Sequence, residues 1–126
     1  MRIGIITGEF PPMQGGVGDF SRELSKELAA LGHETHILTR TGCRSAELSP
    51  AYRVHPEIER WNWSLFARAN RWIKANRLET VNLQYQAAAY GMHPAINLLP
   101  RCLASIPLVV TFHDLNVPYL FPKAGR

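Results

Sequence analysis

Cysteine is scarce. Cys43 and Cys102 are the two in the chain, too few for a disulfide framework and too far apart for a metal-ligand spacing. That scarcity points to a reducing compartment. The opening MRIGIITG lacks the longer apolar stretch and small-residue cleavage site of a secretory signal, and a cytoplasmic location is expected. Nor does any run suit a bilayer. The longest stretch free of Asp, Glu, Lys and Arg, residues 80–100, carries Asn82, Gln84, Gln86, His93, Asn97 and two prolines, all costly in hydrocarbon. Internal repeats, low-complexity segments and linkers are missing as well.

Two phosphate-binding signatures are also lacking. No Lys-Ser/Thr pair follows the glycines at 15, 16 and 18, which removes the Walker loop and nucleotide hydrolysis with it. Gly15 lies nine residues after Ile6, with Pro11-Pro12 between, and no acidic residue closes the second apolar run. The dinucleotide fingerprint requires both features. Arg40 in that place is a weak 2′-phosphate partner.

What is there suffices for a core. The chain has 126 residues, 46% hydrophobic and 19% charged, with a net charge of +4. A domain of that length buries roughly two-thirds of its unfolded surface. Apolar runs and helical patterns alternate. Ile3–Ile6 reads as a buried strand. Phe20, Leu24, Leu28 and Leu31 follow at i, i+4, i+8 and i+11 as the apolar stripe of a helix, with Asp19 at its start and Gly32 at its stop. His33–Thr39 reads as a second strand and residues 40–50 as a loop. Tyr52–Ile58 reads as a third strand, against which Pro56 argues.

A helix from about Trp63 to Leu78 carries Leu65, Phe66, Ala69, Trp72 and Ile73 opposite Arg68, Arg71, Lys74 and Arg77. Thr80–Tyr85 is a further strand. Pro94 opens a helix that Pro100 ends or kinks, and Leu108–Phe112 is the last strand. This alternation implies βαβ units: an α/β fold with an open, mostly parallel, Rossmann-like sheet flanked by helices. Ligands in such folds bind beyond the carboxyl ends of the strands. Glu9 with the glycine loop, Thr39-Arg40, Gln84-Tyr85-Gln86 and His113-Asp114 therefore fall on one edge.

Glycines at 15, 16 and 18 let a ligand approach the backbone and tolerate positive φ. The loop ends at a helix N-terminus, whose unpaired N–H groups favour an anion. The plainer reading is a tight turn that uses glycine for geometry alone. His113 reads either as a site residue at a strand end or as a buried structural histidine. His33 and His36, three apart on a strand, point to opposite faces, and His55 and His93 have no partner pattern, so no metal site is expected.

The run Glu9-Phe10-Pro11-Pro12-x-x-Gly15-Gly16-Val17-Gly18-Asp19, the leucine-striped helix and Ala30-Leu31-Gly32-His33-Glu34 resemble the amino-terminal region of family 4 (group 1) glycosyltransferases. Val81–Gln86 is similar to their strand ending in Gln-Tyr, and Val109–Asp114 to their strand ending in His-Asp. The resemblance implies the amino-terminal, acceptor-side half of a retaining GT-B enzyme, which moves a sugar from a nucleotide-sugar donor to an acceptor hydroxyl without a metal or other cofactor. It implies that Gly15 and Gly16 meet the donor diphosphate and that His113 is catalytic, beneath the donor sugar. Asp19 would lie on the acceptor side, Gln84 and Tyr85 on the cleft floor, and Glu9 and Asp114 beside them.

The same resemblance implies a partner: a carboxy-terminal donor-binding domain with a Glu-x7-Glu motif, which these residues do not contain. Alone, the 126 residues are expected to fold but to transfer no sugar, and an exposed sheet edge leaves a homodimer open. The acceptor is a sugar or a lipid-linked sugar. The Trp- and Arg-rich helix near 60–78 either rests peripherally on an anionic membrane at the inner face or turns its aromatic stripe into the core. Nucleic acid is not expected, since no recognition motif is present. A non-catalytic binding module on the same fold and an NAD(P)-binding domain remain as alternatives.

Overall fold

The computed structural model describes residues 1–43, 49–103 and 105–114. Residues 44–48 of the expected 40–50 loop and those after Asp114 lie outside the described residues. Strands β1 (Arg2–Thr7), β2 (Glu34–Arg40), β3 (Tyr52–Ile58), β4 (Thr80–Tyr85) and β5 (Leu108–Phe112) alternate with helices α1 (Gly16–Ala30), α2 (Leu65–Ala75) and α3 (Ala95–Cys102). The strands form one sheet in the order β3-β2-β1-β4-β5, and every pairing is parallel. This is the open Rossmann-like α/β arrangement. The chain runs outward from β1 to β3, then crosses to β4, so the order reverses between β1 and β4. Right-handed connections then place α1 on one face and α2 with α3 on the other.

The face under α2 and α3 is dry. Ile6, Leu38, Ile58, Val81 and Leu83 meet Leu65, Ala69, Trp72, Ile73, Ile96 and Leu99 there. Gly4 of β1 lets the Trp72 ring descend onto the sheet, since a Cβ at Gly4 would come within 2.5 Å of Trp72 Cη2. The apolar stripe of α2 is buried and Arg68, Arg71 and Lys74 are exposed, the core-facing arrangement of the two weighed for this helix. The helix is shorter than its pattern suggests and begins at Leu65. Trp63 precedes it, 54% exposed, its ring against those of Phe66 and His93.

Helix α1 does not sit as its leucine stripe suggests. Its buried residues are Val17, Gly18, Ser21 and Ser25, whereas Phe20 and Leu31 are 45% and 74% exposed. Leu24 and Leu28 are half-buried against the cluster of Ile5, Phe10, Ile37 and Tyr52. The small face wins because it lets the helix approach closely. The hydroxyls of Ser21 and Ser25 donate to the carbonyls of Val17 and Ser21, each at 2.7 Å, so neither buried serine hydroxyl is stranded. Hydropathy periodicity cannot register a contact made by Gly and Ser. The helix stops at Gly32, whose φ of +90° suits glycine.

Both proline expectations resolve through position. Pro56 sits in β3, an edge strand, where a missing N–H forfeits no bond to a further strand. Pro100 neither starts nor ends a segment but lies inside α3 on its exposed side. The lost backbone donor is one bond in a helix that runs only to Cys102. Cys43 is buried and Cys102 exposed, both as free thiols. No helix among the described residues is long and apolar enough to cross a membrane.

Candidate functional site

All five strands point the same way, so their carboxyl ends share one edge. In open α/β sheets the ligand crevice forms where the strand order reverses, here between β1 and β4. The loop leaving β1 is seated by Phe10, which is buried and meets Tyr52 edge-on with ring centroids 5.6 Å apart. Thr7 Oγ1 donates to the Glu9 carbonyl at 2.7 Å and so folds the strand end. The Pro11–Pro12 peptide is cis. Gly15 then caps α1 with φ 169°, which is extended backbone, and no side chain caps the helix.

The loop's glycines divide into two kinds, and positive φ explains none of them. A Cβ at Gly8 would strike the Ala89 carbonyl oxygen, and one at Gly18 would lie 3.1 Å from Phe10 Cα. Packing demands those two. A Cβ at Gly15 would meet only the Glu9 carboxylate, the movable end of a side chain, and a Cβ at Gly16 would meet nothing within 4 Å. The fold does not require glycine at 16. Open space therefore lies over an uncapped helix N-terminus, where backbone N–H groups and the helix dipole attract anions.

The ends of β4 and β5 supply the opposite wall. His113 extends the β4–β5 ladder, its N–H donating to the Tyr85 carbonyl at 3.0 Å. Its Nε2 lies 2.6 Å from Gln84 Oε1. Gln84 is fully buried, and its amide also bonds to Asn82, which in turn reaches the Val109 carbonyl at 3.2 Å and Thr111 Oγ1 at 3.0 Å. The Tyr90 hydroxyl, whose pKa burial pushes well above its ordinary value, donates to the Gln84 carbonyl at 2.5 Å. Helix α1 also reaches this wall: the Phe20 ring meets the His113 ring edge-on, centroids 5.0 Å apart. Phe20 stands one helical turn beyond Gly16 on the same side of α1.

A family model described as Glycosyltransferase Family 4 matches residues 14–126. The chain belongs to glycosyltransferase family 4. No curated protein shows a match to its sequence. The remaining residues expected at the site are distributed unevenly around Gly16 and His113.

Glu9 stands against Gly15. Asp19 is exposed in the first turn of α1 and pairs with Arg22 at 3.6 Å. Asp114 follows His113 at the same edge, half-buried. Gln84 and Tyr85 do not share a wall, because adjacent strand residues point to opposite faces. Gln84 lies beneath His113, whereas the Tyr85 hydroxyl donates to Asn97 Oδ1 at 2.7 Å on the α3 side and its ring meets Phe112.

The sequence reading of this family 4 domain missed two residues beside the site, Phe20 and Asn82, and a histidine pair elsewhere on the sheet. Phe20 was absorbed in the leucine stripe. Asn82 sits two residues before Gln84 on the same strand face, a period-two signal that was legible. His55, expected to lack a partner, faces the buried His36 across β2 and β3, with Nδ1 of His36 3.0 Å from Nε2 of His55. His36 Nε2 reaches Glu34 at 2.8 Å, and this bond holds the Glu34 carboxyl below its ordinary range. Desolvation first, and then His36, lowers the pKa of His55. The pair lies on the α2 side beside Trp72, away from the crevice. Among the described residues no group of three His, Cys, Asp or Glu side chains is placed to hold a metal.

Proposed function

We propose that this domain is the amino-terminal, acceptor-side half of a retaining GT-B glycosyltransferase that uses a nucleotide-sugar donor. The observation that carries the reading is the open, uncapped helix N-terminus at Gly16 together with His113, whose ring meets Phe20 one turn further along the same helix. In this reading the amides at Gly15 and Gly16 approach the donor diphosphate, and positive charge at the helix end offsets the charge that grows on the leaving group. Backbone amides rather than a metal ion meet the phosphates. His113 holds a hydroxyl of the transferring sugar and so sets the anomeric carbon against the acceptor. The departing phosphate can itself take the acceptor proton, so no pair of protein carboxylates of the glycosidase kind is needed.

Asp19, exposed at the rim, is assigned to acceptor hydroxyls, with Glu9 behind the loop and Asp114 beside His113. A second domain closes the crevice and supplies most of the nucleotide pocket. Without it, this half binds donor weakly and transfers nothing. The first test is a panel of nucleotide sugars titrated into the labelled domain and followed by amide shifts. Perturbations at Gly15–Gly18 and His113 with one donor support the reading; a panel that moves neither segment sinks it. In the two-domain enzyme, NMR of the first-formed product must show the donor's anomeric configuration, and inversion removes the retaining assignment.

A further inference from the structure

Beneath His113 runs a chain of side chains whose polarity is settled by one backbone atom. The Val109 carbonyl can only accept a hydrogen bond. The Asn82 group 3.2 Å from it is therefore the Nδ2 amide. Thr111 Oγ1, at 3.0 Å from the same nitrogen, can donate or accept and so adapts. With Nδ2 committed, Asn82 turns Oδ1 toward Gln84, and the Gln84 group that meets it is Nε2. The other end of that amide, Oε1, then faces His113 Nε2 at 2.6 Å. An amide oxygen can only accept, so His113 Nε2 carries a proton. Reversing any one amide would set two acceptors, or two donors, against each other somewhere along the row. Gln84 is fully buried, so a mismatch there would leave a desolvated polar group without a partner.

We infer that Asn82 is a positioning residue which, through Gln84, holds the neutral His113 ring in its Nε2–H tautomer, so that Nδ1 offers a lone pair to the ligand. A ligand group meeting that atom must donate a hydrogen bond. Resting on the proposed site, this deepens its specificity: His113 selects a sugar hydroxyl and disfavours a carbonyl or carboxylate in the same place. Asn82 touches no ligand. It acts at two removes, by orienting the amide that orients the ring.

The tautomer can be read on this chain without donor, acceptor or turnover. Long-range proton–nitrogen correlation spectra of the labelled domain, recorded at a pH where the His113 ring is neutral, report which nitrogen carries the proton. The expected result is a single Nε2–H form in the wild type and a mixture of both tautomers in Asn82→Leu, where the Gln84 amide is free to turn. A wild-type ring protonated at Nδ1 overturns the inference, as does an Asn82→Leu spectrum identical to wild type. Should Asn82→Leu not fold, Gln84→Leu must give the mixture, and the wild-type spectrum decides in any case. If the tautomer is as expected and no nucleotide sugar binds, the relay stands and the proposed function falls.

Discussion

Helices α2 and α3 press Trp72, Ile73, Ile96 and Leu99 onto one face of the sheet, whereas α1 meets the other with Val17, Gly18, Ser21 and Ser25. The first face gains its stability from burying large apolar side chains, on the order of 1.5–3 kcal/mol for each. The second gains close approach and leaves the carboxyl ends of β4 and β5 lined by Asn82, Gln84, Thr111 and His113. One sheet thus carries a face devoted to the fold and a face left polar at the crevice. Stability and the proposed chemistry should therefore respond to different residues.

The sharpest way to break that division is on the dry face. Trp72→Ala removes a nearly fully buried ring packed over Gly4 and should cost about 3–5 kcal/mol in chemical denaturation. A loss below 1 kcal/mol would mean that this face is not the main support. On the polar side, His113→Ala in the two-domain enzyme should lower turnover by about a hundredfold while the domain's denaturation midpoint moves little. Transfer near the wild-type rate would return His113 to a structural role.

The histidine pair on the α2 side gives a pH signature to the dry face. His55 has a folded pKa below its ordinary value near 6.5. Above about 6.5 both folded and unfolded states are neutral there and the full stability is present. As pH falls below that value, the unfolded chain takes up the proton first. Stability declines until the lowered folded value is passed, and levels off below it. Denaturation between pH 7.5 and 5 should show this decline, and His55→Phe should flatten it. A wild-type stability that rises on acidification contradicts the arrangement.

The smallest expected effect separates the two kinds of glycine. Gly16→Ala places a methyl in open space and should change stability by less than about 0.5 kcal/mol, whereas Gly18→Ala pushes on the Phe10 backbone and should cost about 1–3 kcal/mol. Donor binding should respond in the reverse sense, weakening for Gly16→Ala, and more for Gly16→Val, with the fold intact. Equal stability losses at the two positions would erase the distinction.

Much of the architecture was readable because it rests on local regularities. Runs such as Ile3–Ile6 and Leu108–Phe112 declare buried strands as short continuous apolar stretches, and the spacing of Leu65, Ala69, Trp72 and Ile73 declares a helix through a period of 3.6. What was misread has a common cause. The seating of α1 depends on Gly18, Ser21 and Ser25, which carry no hydropathy signal, and Pro56 is tolerated because its strand lies at an edge. The partnership of His36 with His55 required knowing that β2 pairs with β3 and in which register. Tyr85 was grouped with Gln84 as a neighbour in sequence, although strand geometry turns the two apart.

By itself the amino-acid order determined the element types, their parallel α/β arrangement and the edge on which Glu9, Gln84 and His113 must lie, because backbone periodicity and connection handedness are local or nearly so. Only the tertiary structure decided that β4 lies between β1 and β5, that the Phe20 ring meets His113, and that the His113 ring reaches Gln84. Those are contacts between residues distant in the chain, set by which faces could be packed closely and which buried polar atoms had to find partners.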